Sequence, residues 1–389
     1  MTLSKPQRRL KGSPARVEES IVSDPRPETP PPQQTVVAKL LAGVVNLRAS
    51  DVHLRANSAP YVRVDGVLSK TTAAPLSPQL VEDIIQITSG RALAEGAPKS
   101  WEYSFEQPGL ARFRGHVFRE SDRWALTLRV VPLSIPSFAE LRLPPVVKLL
   151  AQATPGLVLI NGPTGSGKST TAASILNHLA SKETLHVVSI EDPIEYRLSD
   201  LASCISQREV GRDTPSFEAA LRSVLREDPD ALFISEIRDL SALEVALQAA
   251  ETGHAVFSTF HTATTLKCVQ RMVAMFPSED QLSARARLAD SLRGVIAQRL
   301  LPRKGTRGRV LCTEVMINNY AVKECIRDPG RTAALTAVLE RSGEQQMHTI
   351  DQCLASLVRE GLVAPDVALS YASAPADFKR ALNFPGLVP

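Results

Sequence analysis

Leu157-Val-Leu-Ile-Asn161 running into Gly162-Pro163-Thr164-Gly165-Ser166-Gly167-Lys168-Ser169-Thr170 is the stretch that decides the fold. An apolar run breaks into a glycine-rich loop, and Thr171-Ala-Ala-Ser-Ile-Leu-Asn-His-Leu179 then repeats its apolar residues at helical spacing. This is the order strand, phosphate cradle, helix. The pattern G-x-x-x-x-G-K-[ST] is met in full by Gly162, Gly167, Lys168 and Ser169. Glycines let backbone N–H groups converge on phosphate oxygens, and a helix opening at Lys168 adds the positive end of its dipole. Lys168 is expected to lie along the β- and γ-phosphates, and the Ser169 hydroxyl to complete the shell of a Mg²⁺ ion. Residues 162–170 together form the candidate nucleotide site, with ATP as substrate and Mg²⁺ as cofactor.

Working outward, His186-Val-Val-Ser-Ile190, Ala231-Leu-Phe-Ile-Ser235 and His254-Ala-Val-Phe-Ser-Thr-Phe260 are apolar runs with the character of buried parallel strands. Helical patterns lie between them, around residues 216–226 and 240–251. An α/β domain with a mainly parallel sheet follows. Ligands of such sheets bind beyond the carboxyl ends of the strands, so polar residues there gather at one site. Glu191-Asp-Pro-Ile-Glu195 follows the second strand and Glu236-Ile-Arg-Asp239 the third. ATP hydrolysis needs one carboxylate for the metal and another to orient and deprotonate water, and Glu195 and Glu236 supply that pair. Asp239 reads equally as the cap of the helix that begins at Ser241. His254 and His261 bracket the last strand, and His261, at its carboxyl end, is placed to sense a γ-phosphate.

Composition is that of an ordinary globular chain: 389 residues, 43% hydrophobic, 22% charged, with a formal charge of +4. So mild a surplus does not indicate a nucleic-acid binder. Five cysteines without a C-x-x-C pair suggest neither a zinc knuckle nor a disulfide framework, and reduced cytosolic thiols are expected. No apolar run approaches the ~20 residues of a membrane span, and no apolar segment follows the N-terminal positive charges as in a secretory leader.

Residues 1–34 hold seven of the 28 prolines and few large apolar residues, and are expected to be a disordered, partly polyproline tail. Residues 35–136 read as a small α+β domain. An amphipathic helix carries Val36, Val37, Leu40, Leu41, Val44 and Val45, and Asp65-Gly66 is a hairpin signal between two short strands. Ser77-Pro78 caps a second helix that stops at Gly90. Residues 101–105, 111–118 and 124–131 read as an antiparallel meander. On it Arg112, Arg114 and Arg129 alternate with apolar residues and share one face, read either as solvated surface or as a reach to a γ-phosphate from a neighbouring domain. Residues 137–154 are the linker and approach helix, 155–372 the motor domain with its C-terminal helices, and 373–389 a C-terminal tail.

The set formed by Gly162–Thr170, Ile190-Glu-Asp-Pro-Ile-Glu195, Gln207-Arg-Glu-Val210, residues 220–230, Ser235-Glu-Ile-Arg-Asp239 and 251–262 resembles the Walker A, Asp box, Walker B and His box of the secretion-type ATPases. More narrowly it resembles the type IV pilus retraction (twitching motility) ATPases, the PilT family, over about residues 37–362.

That resemblance implies a RecA-like P-loop ATPase domain preceded by a PAS-like domain, in a homohexamer with ATP at the domain junction. It implies Glu195 as general base, Glu236 as the Walker B carboxylate for Mg²⁺, and His254 and His261 as the His box. Arg112, Arg114 and Arg129 become candidate phosphate or inter-domain contacts. The implied protein is cytoplasmic, at the inner face of the cytoplasmic membrane, and reaches the membrane only through a platform protein on which it acts. Ala321-Val-Lys-Glu-Cys-Ile-Arg-Asp328 stands where retraction motors carry A-I-R-N-L-I-R-E, and keeps Ala321, Ile326 and Arg327. Alternatives are a pilus extension or type II secretion ATPase, an accessory paralogue of the retraction motor, and a nucleic-acid translocase.

Overall fold

The computed structural model describes residues 32–94 and 96–383, so the expected tail lies almost wholly outside the described residues. Two sheets organise the chain. The first holds β1 (Asp51–Arg55), β2 (Tyr61–Val64), β3 (Val67–Lys70), β4 (Ser100–Gln107), β5 (Ala111–Glu120) and β6 (Arg123–Val131), in the order β3-β2-β1-β6-β5-β4. Every pairing in it is antiparallel. Asp65 and Gly66 both take positive φ, 50° and 89°, as a type I′ hairpin requires. Helices Pro32–Asn46 and Pro78–Ser89 cover the sheet, burying Leu41, Val44, Ile84 and Ile85 on Leu54, Phe113, Leu126 and Leu128. Ser77 accepts from the Leu80 N–H at one end of the second helix, and Gly90 closes the other in the left-handed region.

The second sheet holds β7 (Gly156–Asn161), β8 (His186–Glu191), β9 (Cys204–Glu209), β10 (Ala231–Ile234), β11 (Ala255–Phe260), β12 (Leu292–Pro302) and β13 (Arg309–Ile317). Its order is β13-β12-β7-β11-β10-β8-β9, parallel except for the antiparallel β12–β13 pair. β7 is buried along its whole length, so it reads as a continuous apolar run rather than an alternating one. Helix Lys168–Lys182 packs on one face of the sheet, and helices Phe217–Val224, Leu240–Glu251 and Thr265–Ala274 on the other. Strands β9, β12 and β13 go beyond the strands read from sequence. β9 is an edge strand with polar residues at Ser206, Gln207 and Arg208, and β12 carries Gln298 and Arg299 in its middle.

Residues 373–389, expected as a tail, hold helix Pro375–Asn383 instead. Phe378 anchors it, 2% exposed, in a small cluster with Leu301, Val310, Ile350, Leu354 and Leu357. Phe378→Ala should loosen this last helix by about 3 kcal/mol. Hydrogen exchange at residues 375–383 reports it, and unchanged protection would mean that the anchor is unimportant.

Candidate functional site

Asn161 ends β7 and is fully buried. Its Oδ1 accepts from the N–H groups of Gly162 at 3.0 Å and Thr262 at 2.7 Å, while Nδ2 donates to Thr262 Oγ1 at 2.6 Å and to the Thr264 carbonyl at 3.2 Å. One amide thereby ties the first residue of the phosphate loop to the turn after β11. Gly162 sits at φ 150°, and a Cβ there would lie 2.5 Å from the Gln298 carbonyl oxygen, so the close approach requires glycine. Gln298 on β12 donates to the Ser166 carbonyl at 2.8 Å and supports the loop from below.

Lys168 opens the helix and turns its Nζ onto the carbonyls of Gly162, at 2.9 Å, and Pro163, at 3.1 Å. Burial lowers its pKa, and the charges of Glu236 and Glu195 act against that lowering. The net direction is downward, and both carboxylates line the same cleft as Lys168.

Glu236 follows β10 and receives Arg238 Nε at 3.1 Å and His261 Nε2 at 3.2 Å. Burial lowers the His261 pKa, as do the charges of Lys168 and Arg238, although Glu236 raises it. The imidazole is thus held toward its neutral form. Asp239 accepts from the Ala242 N–H at 2.9 Å, so it is a helix cap.

Glu195 lies on the loop after β8, where its carboxylate meets Arg114 Nη1 at 3.7 Å. Arg114 also donates to Glu102 at 2.5 Å. That loop leaves β8 at Glu191, whose buried carboxyl is pushed up to about 7 by desolvation, against hydrogen bonds from Gln207 and Ser189. Tyr196 closes it through a 3.0 Å hydroxyl contact with Thr170.

Lys168, Ser169, Glu195, Glu236, His261, Arg114 and Arg129 line one cleft of about 1570 Å³ between the two sheets. Arg129 is engaged there with Asp51 at 2.9 Å. Two residues grouped with them from sequence are placed elsewhere. His254 precedes β11 at its amino end, about 20 Å from the loop across six residues. Its Nδ1 contacts Thr252 Oγ1 and the Ala249 carbonyl at 3.1 and 3.0 Å, closing helix Leu240–Glu251. Arg112 is 5% exposed and turned away from the cleft onto the Ile194 carbonyl and Glu209. A shared sheet face is a matter of alternation, whereas the partner each arginine meets depends on which loop lies opposite it. Asn161, Gln207, Glu209 and Gln298 entered the site unannounced as functional groups, and their signal was polarity inside or at the end of strands.

Residues 117–363 match the family described as Type II/IV secretion system protein. The chain is 39% identical over 346 residues to the type IV pilus retractation ATPase PilT of Pseudomonas aeruginosa, covering 88% of this chain and 99% of that one. It is 33% identical over 343 residues to the type IV pilus ATPase PilU of the same organism, covering 88% and 90%. Among solved structures, that of the pilus retraction motor PilT with bound ADP superposes with a TM-score of 0.76 at 38% identity, over 88% of this chain and 98% of that one.

Glu191 carries a pH dependence with a definite sign. Its folded value of about 7 lies above the ordinary 4.5, so folding binds a proton between them and stability falls as pH rises through that window. Glu191→Gln mimics the neutral acid. It should match wild type near pH 4.5 and exceed it by about 3 kcal/mol at pH 8, at ~1.4 kcal/mol per pH unit of the window. Urea unfolding at the two pH values tests this, and a difference independent of pH would refute it.

Proposed function

Since the chain belongs to the Type II/IV secretion system protein family, and within it to the PilT-type ATPases, we propose that it is a Mg-ATP-hydrolysing hexameric motor that powers type IV pilus retraction. The observation that carries this reading is that Lys168, Glu195 and Glu236 line one cleft walled by the arginine-bearing sheet. A catalytically silent scaffold would have no need of that set. The likeness to a relative named as a type IV pilus retractation ATPase, at 39% identity over nearly its whole length, favours retraction.

The residue roles follow from chemistry. The phosphate loop, 162–170, holds the triphosphate, with Lys168 leaving its own loop carbonyls for the β- and γ-phosphates. Ser169 and Glu236 would hold Mg²⁺. A hydroxyl and a carboxylate lining the same cleft are the hard oxygen donors that this ion selects, so the residues fit it. When bound, Mg²⁺ neutralises charge on the phosphate oxygens. Glu195 orients and deprotonates the attacking water. Arg114, already on Glu195, and Arg129, on Asp51, are the arginines placed to compensate phosphate charge, and His261 reports the state of Glu236. Residues 35–136 form the first domain and 155–372, with helix Pro375–Asn383 packed on them, the motor domain, joined by 137–154.

Work is done by moving these domains against each other on an inner-membrane platform protein, from the cytoplasmic side. No helix among the described residues is long and apolar enough to cross a membrane.

Lys168→Ala should abolish tight nucleotide binding, whereas Glu195→Gln should bind ATP normally and lose at least ~10²-fold in turnover. A Glu195→Gln protein that keeps most of its steady-state rate would exclude Glu195 as general base. In cells, deletion should give hyperpiliated, non-twitching bacteria by electron microscopy. Loss of pili would instead identify an extension motor, and an unchanged count an accessory paralogue.

A further inference from the structure

Arg112 reaches the chemistry by a route other than phosphate. It leaves β5 of the first sheet and is buried among three acceptors. Nε donates to the Ile194 carbonyl at 3.1 Å, and Nη2 donates to Ser104 Oγ at 2.7 Å and to Glu209 Oε2 at 3.4 Å. Glu209, from edge strand β9, uses that same oxygen to accept the Ile194 N–H at 3.2 Å. Both backbone groups of the residue before Glu195 are thus held, one by the first domain and one by the second. A matching clamp lies just beyond: Gln207 accepts the Leu198 N–H at 2.8 Å and donates to the Tyr196 carbonyl at 3.0 Å. Glu195 hangs between two fixed points.

The Ile194 carbonyl belongs to the peptide that enters Glu195, so its orientation sets the direction in which the Glu195 side chain leaves the loop. We propose that Arg112 is a positioning residue for hydrolysis, fixing the Ile194–Glu195 peptide so that the first sheet determines where the general base points. The proposal rests on Glu195 being that base. A planar guanidinium meets the carbonyl and the carboxylate at once through separate nitrogens, and a lysine ammonium on its flexible stem does not reproduce that fork. Misplacing a reacting group by about 1 Å can cost ~10²-fold in rate while leaving ground-state binding intact.

The test uses the full-length assembled protein, measuring ATP turnover, affinity for a fluorescent ATP analogue and for ADP, and thermal unfolding. Arg112→Lys should lower kcat by ~10- to 100-fold with both affinities unchanged within about twofold. Glu209→Gln keeps an acceptor for the Ile194 N–H and removes the charge facing Arg112. It should lower kcat less, and add little to Arg112→Lys when combined, because the two side chains touch each other and hold the same residue, Ile194. It also serves where Arg112→Lys fails to fold. Weakened binding of the ATP analogue with unchanged ADP binding would make Arg112 a phosphate ligand and overturn the proposal. Unchanged kcat in both variants, with only lowered thermal stability, would reduce the clamp to packing. A wild-type protein that binds ATP without turning it over would overturn the hydrolysis reading itself, and the proposal with it.

Discussion

The buried amide of Asn161 is the contact on which the site's geometry depends. A phosphate loop must present unpaired N–H groups to its ligand, so its backbone cannot be held by the ordinary ladder of a sheet. Asn161 resolves this at the loop's root. It occupies the end of the interior strand β7, accepts from the first loop residue, and also grips the turn after the neighbouring strand β11. The loop and the segment carrying His261 are therefore placed by one side chain. Gln298 supplies the second support, from β12 to the middle of the loop. With its root and its middle fixed by side chains, the loop is held without a sheet ladder along its length.

Charge arranges the rest of the cleft. Lys168 is taken partly out of water and would lose its proton more easily there, but Glu236 and Glu195 stand near enough to oppose that. Each carboxylate in turn has a cationic partner, Arg238 on Glu236 and Arg114 on Glu195, and Glu236 also meets the His261 imidazole. These pairs are half exposed, so each stabilises the fold by at most ~1 kcal/mol and can be exchanged for a phosphate at small cost. The cleft holds its charges in partnerships that a nucleotide can rearrange.

Much of this was legible from residue order. The phosphate loop, the four central strands and the acidic strand ends follow from apolar runs meeting glycine or glutamate, and the hairpin at Asp65-Gly66 follows from the positive φ that both residues adopt. Strand β9 was not legible, because an edge strand needs no apolar alternation and Ser206, Gln207 and Arg208 give none. Helix Pro375–Asn383 was hidden by its brevity, since one buried Phe378 does most of the anchoring. The arginines show the deeper limit. Alternation puts Arg112, Arg114 and Arg129 on one face, and they are on one face, yet they meet Glu209, Glu195 and Asp51 respectively. Asp51 is the cross-strand neighbour of Arg129, whereas Glu209 and Glu195 lie across the junction, where partners depend on three-dimensional approach that local periodicity does not encode. His254 likewise shares a strand with His261 but stands at its far end.

Arg112 and Arg114 divide the labour of the junction mechanically, whereas Arg129 stays with Asp51 on the neighbouring strand of its own sheet. The Arg112–Glu209 pair is buried, with side chains 6% and 11% exposed, whereas Arg114–Glu195 is 27% exposed on both sides and Arg197–Glu106 is 61% and 39% exposed. Removing one partner of a buried pair costs about 3–5 kcal/mol, because the charge left behind stays desolvated. Separating an exposed pair costs far less, since water takes over each partner. The junction therefore has one stiff contact and several soft ones, and the stiff one holds the loop of Glu195. Relative motion of the sheets about that contact would alter Arg114 first and the backbone of Glu195 last. Such an order lets phosphate charge displace the soft contacts while the direction of Glu195 is kept.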